Sequence, residues 1–217
     1  MCHDLETSRN TYIIGLFLSL FLFYKGDKFD KHIAIFSFVF IQIQLAEYFM
    51  WLDQDCGKIN HYATLYSNII ILLQPLSILI TGIFYKIFNI SNNILYLLIS
   101  IMILPIFILI YKYNKFNKNL CSKPKEKGYL KWDSVFLKDN NSKLYTFFYL
   151  SILLFSWLFL KNKNKGLMSF LIFLTSLIYS KFDINNISLS FKQWESKWCF
   201  TGIIFPFIFV MNKYLKI

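Results

Sequence analysis

Arginine is nearly missing from this chain: Arg9 stands alone among 217 residues, and lysine supplies the rest of the basic charge. Together with abundant Ile, Asn, Tyr and Phe, this reads as codon bias of an AT-rich genome and says nothing of mechanism. Charge of either sign is scarce. Only 16% of residues are charged, where a soluble domain carries about a quarter. The formal net charge of +11 does not point to nucleic acid, because the lysines are scattered over short stretches between apolar blocks. Contact with anionic lipid headgroups accounts for them better.

The missing motifs exclude several classes. There is no Gly-rich phosphate loop, no Ser-His-Asp set and no redox Cys-x-x-Cys. Lys197 and Lys213 flank the last apolar block and its interior holds no lysine, which excludes a retinal protein. Asp-Arg-Tyr after the third block and Asn-Pro-x-x-Tyr in the seventh are both missing, which excludes the common G-protein-coupled receptors. No internal repeat supports an inverted-repeat transporter. The start has no basic region and no small-residue cleavage site follows, so the first apolar block is expected to stay as a span. Cys2 stands where myristoylation needs glycine, and the last four residues hold no prenylation cysteine.

What the chain does have is apolar sequence: 56% hydrophobic and 20% aromatic residues. Leu, Ile and Phe come in blocks separated by Lys- and Asn-rich stretches, the layout of membrane spans and loops. The fold class expected is all-α, a polytopic transmembrane helix bundle of about seven helices, residues 1–217 forming one membrane domain. The helices are expected at Thr11 to Tyr24, His32 to Leu52, Tyr62 to Tyr85, Ile94 to Tyr111, Leu144 to Leu160, Gly166 to Ser180 and Ser196 to Met211. A Lys-rich polar loop, 112–143, separates the fourth from the fifth. The first and sixth blocks are short for a bilayer core of about 30 Å, so six spans is the alternative count. Pro75, Pro105 and Pro206 are expected inside helices three, four and seven, where neighbouring helices can satisfy the freed carbonyls.

With seven spans, the N-terminus and the second, fourth and sixth loops share one side, here the N-side. All four cysteines, Cys2, Cys56, Cys121 and Cys199, fall there, which suits an oxidising compartment. Cys2–Cys199 with Cys56–Cys121 is a reasonable pairing, but four cysteines allow three pairings and sequence cannot choose. On the opposite C-side, short segments carry Lys25, Lys28, Lys31, Lys86, Lys161, Lys163, Lys165, Lys213 and Lys216, against Asp27 and Asp30. The positive-inside rule then places the N-terminus outside or lumenal and the C-terminus in the cytoplasm, although the long N-side loop holds nine lysines of its own. Asn140-Asn141-Ser142 and Asn186-Ile187-Ser188 are glycosylation sequons on the expected outer side, and Asn89-Ile90-Ser91 lies on the other.

Glu47 is the one acid clearly inside a block. Charges there cost roughly 2.5–3.5 kcal/mol on insertion scales, so an intramembrane ionisable residue is a functional candidate by default. Gln44, Glu47 and Trp51 fall at i, i+3 and i+7 and share one helix face. The structural reading is that Glu47 is protonated, or hydrogen-bonded to Gln74 next to Pro75, and ties helix two to helix three. The functional reading is a transport, proton-relay or catalytic role. Trp51, Trp132, Trp194 and Trp198 suit interfacial anchors. Cys2, His3, His61, Glu47 and Cys199 have ligand chemistry but no metal-site spacing, so neither metal nor cofactor is expected.

Met1-Cys2 followed by Glu6-Thr7-Ser8, the stretch Gln44-Leu45-Ala46-Glu47-Tyr48-Phe49-Met50-Trp51, Gln74-Pro75, Gly128-Tyr129-Leu130-Lys131-Trp132 and Trp198-Cys199 together resemble one family. It comprises uncharacterised multi-pass membrane proteins of giant DNA viruses and algae that begin Met-Cys-Trp-Ser. The chain departs from that pattern at His3 and Asp4, where Trp and Ser are expected, and at Tyr129, where His is common. The resemblance implies a multi-pass helical fold and no particular activity. Every matched segment maps to the N-side half, which suggests one pocket lined by Glu47, Gln44, Gln74 and several tryptophans, Trp51, Trp132 and Trp198 among them. Three functions follow: a channel or transporter whose path for an ion or small molecule passes Glu47; a structural or interaction component of a viral or organelle membrane; and, less favoured, an intramembrane lipid-modifying enzyme. The bilayer is the expected partner and nucleic acid is not.

Overall fold

Short acidic side chains set the first two helix starts. Asp4 caps α1 (Leu5–Lys25), its carboxylate accepting from the Thr7 amide at 2.7 Å. Asp27 and Asp30 cap α2 (Lys28–Leu52) reciprocally, each carboxylate accepting from the other's amide. Such boxes satisfy two of the donors a helix start leaves without partners. α3 (Lys58–Phe84) and α4 (Asn92–Phe116) follow, then α5 (Asn141–Phe155), which tightens into a 3₁₀ turn at Ser156–Phe159. α6 (Lys163–Lys181) and α7 (Ile204–Leu215) complete an all-α bundle, with seven helices among the described residues. The computed structural model describes residues 4–116, 119–124, 130–133, 141–183, 188–189 and 202–215. Two short antiparallel ribbons sit in the connections: β1 (Lys123–Pro124) with β2 (Leu130–Lys131), and β3 (Phe182–Asp183) with β4 (Ser188–Leu189).

Among the described residues, three helices are long and apolar enough to cross a membrane: α2, α3 and the Asn92–Tyr111 part of α4. The helix expected from Thr11 begins at Leu5, because Asp4 caps it and Glu6 to Asn10 are helical despite being polar. At 21 residues it measures roughly 31 Å, so its apolar block understated its length. α6 likewise starts three residues before Gly166. The long polar loop is shorter than 112–143, since α4 extends to Phe116 and α5 opens at Asn141. The seventh helix runs later than expected, and residues 196–201 lie outside the described part. Pro206 corrects a second expectation. It is the third residue of α7, in the first turn, where a missing N–H breaks no intrahelical bond. Pro75 and Pro105 do lie inside α3 and α4.

α2 is the central element, packed between α1 and α3 and touching α7. α1 approaches it closely at Gly15, where a Cβ would come within 2.7 Å of Ile41 Cγ2. Phe36, Trp157, Phe173 and Phe205 from α2, the 3₁₀ turn, α6 and α7 interlock with ring centroids 4.6–5.9 Å apart, the spacing at which offset and edge-on aromatic pairs attract. His32 is fully buried beside them and bonds Thr81 at 2.7 Å, Nδ1 to Oγ1. Thr81 gives its own hydrogen to the Ser77 carbonyl, so His32 Nδ1 is the donor.

Ionic contacts close the C-side end. Lys165 of α6 lies 2.9 Å from Asp27 and 3.6 Å from Asp30, and Lys213 of α7 lies 3.0 Å from Asp30. Lys213 also donates to the Lys25 carbonyl at the end of α1. Nearby, α3 ends in a Schellman turn: the amides of Lys86 and Ile87 donate to the carbonyls of Ile83 and Gly82. That turn needs a left-handed residue, usually glycine, yet Lys86 holds it at φ 55° at a cost of about 1 kcal/mol. Beyond it Phe88 lies over Gly82, where a Cβ would come within 1.9 Å of the ring. The backbone at 87–89 pairs with 159–161, Asn89 and Lys161 donating to Phe159 and Ile87.

Outward-facing residues are mostly large and apolar: Phe17, Phe38, Leu97, Leu104, Phe107 and Ile110 are all exposed. A water-facing surface of that kind would be an aggregation liability; facing hydrocarbon, it is ordinary.

Two carboxyls outside the spans link stability to pH. Burial works against ionisation of Asp27, but the Asp30 amide and the Lys165 ammonium outweigh it and hold the carboxyl below its usual 3.8. The amides of Asn60 and Gly57 do the same for Asp53. A carboxyl more acidic in the folded state stabilises above its unfolded value, and that contribution is lost as pH falls through the folded one. The melting temperature of the detergent-solubilised protein should therefore fall below about pH 4, and Asp27→Asn, which keeps the cap, should flatten the fall. An acid limb identical in the variant would disprove the assignment to Asp27.

Candidate functional site

Gln44 and Glu47 stack on one face of α2, and both are completely buried. Gln44 Nε2 donates to Glu47 Oε2 at 3.1 Å. The other carboxylate oxygen, Oε1, accepts from Trp132 Nε1 at 3.2 Å. Trp132 follows β2 in the connection between α4 and α5, so this bond closes that connection over the N-side end of the bundle. Leu130 packs below it against Ala46, Met50 and Ala63, with Trp51 alongside.

Asn60, near the start of α3, anchors this lid. It is 0% exposed. Its Oδ1 accepts from the Ser122 amide at 2.9 Å and the Thr64 hydroxyl at 3.2 Å. Its Nδ2 donates to the carbonyls of Asp53 and Ser122 at 2.8 and 2.9 Å, with Met50 further off at 3.3 Å. Ser122 and Thr64 hydroxyls meet at 2.9 Å, and the Asp133 amide donates to Ser122 Oγ at 3.1 Å. Asp133 in turn accepts from the Cys121 amide, and its carbonyl from Asn68 Nδ2. Cys56 and Cys121 form a disulfide, with Cα atoms 5.4 Å apart, between the α2–α3 turn and the lid. His61 Nδ1 accepts from the Leu120 amide at 3.0 Å, which leaves Nε2 as donor to the Tyr113 hydroxyl.

The structure thus gathers Gln44, Glu47 and Trp132, with Trp51 adjacent, and separates Gln74 from them. Gln74 Oε1 accepts from the Tyr149 hydroxyl of α5, and its Nε2 has no hydrogen-bond partner. The Glu47–Gln74 bond expected from sequence is absent: Gln74 ties α3 to α5, and Glu47 ties α2 to the lid. Among the described residues, the Cys56–Cys121 pairing is formed. Cys2, Trp194, Trp198 and Cys199 lie outside the described residues. No group of three His, Cys, Asp or Glu converges among the described residues, and both nitrogens of His61 are already engaged.

Asn60, Thr64 and Asn68 were legible as a polar stripe at i, i+4 and i+8 on α3, although sequence reading passed over Asn60 and Thr64. Nothing local marked Ser122 or Asp133, whose roles depend on where the lid lands. Both carboxyl oxygens of Glu47 are engaged, one by Gln44 and the other by Trp132. No protein-family model matches the chain, and comparisons with curated proteins and with solved structures yield no significant match.

Asn60→Ala strands the Ser122 amide and several carbonyls, each worth about 1–3 kcal/mol when left buried and unsatisfied. The variant should lose at least about 3 kcal/mol in thermal or denaturant unfolding, and its 119–133 segment should become protease-sensitive. Wild-type melting in Asn60→Ala would mean that Asn60 does not anchor the lid.

Proposed function

We propose that this chain is a multi-pass membrane protein acting as a structural or interaction component of its membrane, with Glu47 locking the bundle to an N-side lid. The observation that carries this reading is the complete burial of Glu47 beneath Trp132, with both oxygens taken by Gln44 and Trp132. A channel or transporter path through Glu47 would require the lid to lift, breaking the Asn60 network and working against the disulfide.

Glu47→Gln separates the two readings. Glutamine keeps an acceptor for Trp132 and removes the charge. The lock reading expects near-native melting and no change in ion or proton flux of reconstituted vesicles, with Glu47→Ala clearly destabilised. Flux in wild-type vesicles that Glu47→Gln abolishes would establish the pathway reading instead.

We further propose that the lid side is external or lumenal and the lysine-rich end cytoplasmic. The Cys56–Cys121 disulfide supports this, since such bonds persist in oxidising compartments, as do the short lysine-bearing turns at the other end. Expressed in a glycosylating membrane, the chain should accept glycans at Asn140 or Asn186 and never at Asn89. A glycan on Asn89 would invert the orientation.

A further inference from the structure

α4 packs on α3 and makes only marginal contact with the other helices of the described bundle. Only 17% of its most apolar window is buried. Between α4 and α5 this leaves a cleft of about 190 Å³, walled by apolar residues including Leu79, Leu98, Ile152 and Phe155. At the C-side end it runs into a wider, polar depression of about 800 Å³ that shares Phe88, Ile90 and Leu95 with it. Lys86, Lys161, Asn89, Ser91 and Asn92 line that mouth.

The two lysines have no ion-pair partner among the described residues, unlike Lys165 and Lys213 a short way around the same end. They converge because the backbone at 87–89 pairs with 159–161, which fixes the α3–α4 turn beside the α5–α6 turn. Lys86 also keeps a left-handed conformation where glycine would be unstrained. Strain of this kind marks positions where the side chain itself is wanted. Asn92, the first residue of α4, lines the same mouth, and a helix N-terminus favours an anion.

From an apolar slot open to hydrocarbon and ending in two cations at headgroup depth, we infer a binding site for one anionic phospholipid of the C-side leaflet. One acyl chain lies between α4 and α5, and the phosphate sits between Lys86 and Lys161. In the proposed orientation this is the cytoplasmic leaflet, where anionic lipids concentrate. The site rests on the membrane reading and is independent of the role given to Glu47.

The full chain, purified in detergent, is titrated with phosphatidylglycerol, phosphatidylcholine or inorganic phosphate and followed by native mass spectrometry and melting temperature. Phosphatidylglycerol should add as a single retained lipid and raise the melting temperature. Phosphatidylcholine should bind at least tenfold more weakly, and inorganic phosphate should have no effect, since the acyl slot contributes to binding. Lys86→Gly with Lys161→Gln should lose the phosphatidylglycerol adduct at least tenfold. Lys86→Gly alone, free of lipid, should melt no lower than wild type, because glycine suits that turn. Equal retention of the two lipids, undiminished retention in the double variant, or a shift with phosphate alone as large as that with phosphatidylglycerol would each overturn the site. Glu47→Gln should leave lipid retention unchanged, so failure of the lock reading and failure of this one are read separately.

Discussion

Inside a hydrocarbon layer a polar group cannot turn to water, so a buried N–H, C=O or side-chain dipole is costly unless it finds its partner within the protein. This constraint organises the bundle. At the N-side the carboxamide of Asn60 supplies both donors and an acceptor to backbone that the α2–α3 turn and the lid would otherwise leave bare. At the C-side the carboxylate of Asp30, almost buried, meets two lysines from helices far along the chain. Between these ends the packing is mainly apolar and aromatic, crossed by the Gln74–Tyr149 bond. The polar ties fix the register.

Those ties also explain why the bundle is tight in one half and loose in the other. α1, α2 and α3 are joined by close backbone approach at Gly15 and by the His32–Thr81 bond. α4 carries apolar side chains on almost every face, and in a membrane such a helix gains little by packing against protein rather than lipid tails. It remains peripheral, and the crevice beside α5 follows from that.

The helices were largely legible because spans announce themselves as apolar blocks of known length. Boundaries were less so. Glu6 to Asn10 look like a polar leader until Asp4 is seen capping them, and Pro206 looks mid-helix until the start of α7 is fixed at Ile204. For the site, helical spacing placed Gln44 and Glu47 together, and a lone acid in an apolar block marked itself. The partner of Glu47 was not legible. Gln74 was the nearer candidate by chemistry, but its carbonyl is taken by Tyr149 of α5, while Trp132 reaches Glu47 because a disulfide, a hydrogen-bonded serine and a two-strand ribbon fold the lid inward. No local pattern encodes where a loop lands.

The lid has a consequence for the order in which the protein is built. All the contacts described for it, from Gln44 and Glu47 through Asn60 and His61 to Cys121, Ser122, Trp132 and Asp133, involve residues no later than 133. The C-side latch, in contrast, needs Lys165 and Lys213. A ribosome that has delivered α1 to α4 and the chain as far as Asp133 has already supplied every residue of these contacts. The bond between Cys56 and Cys121 therefore needs no residue of α5, α6 or α7.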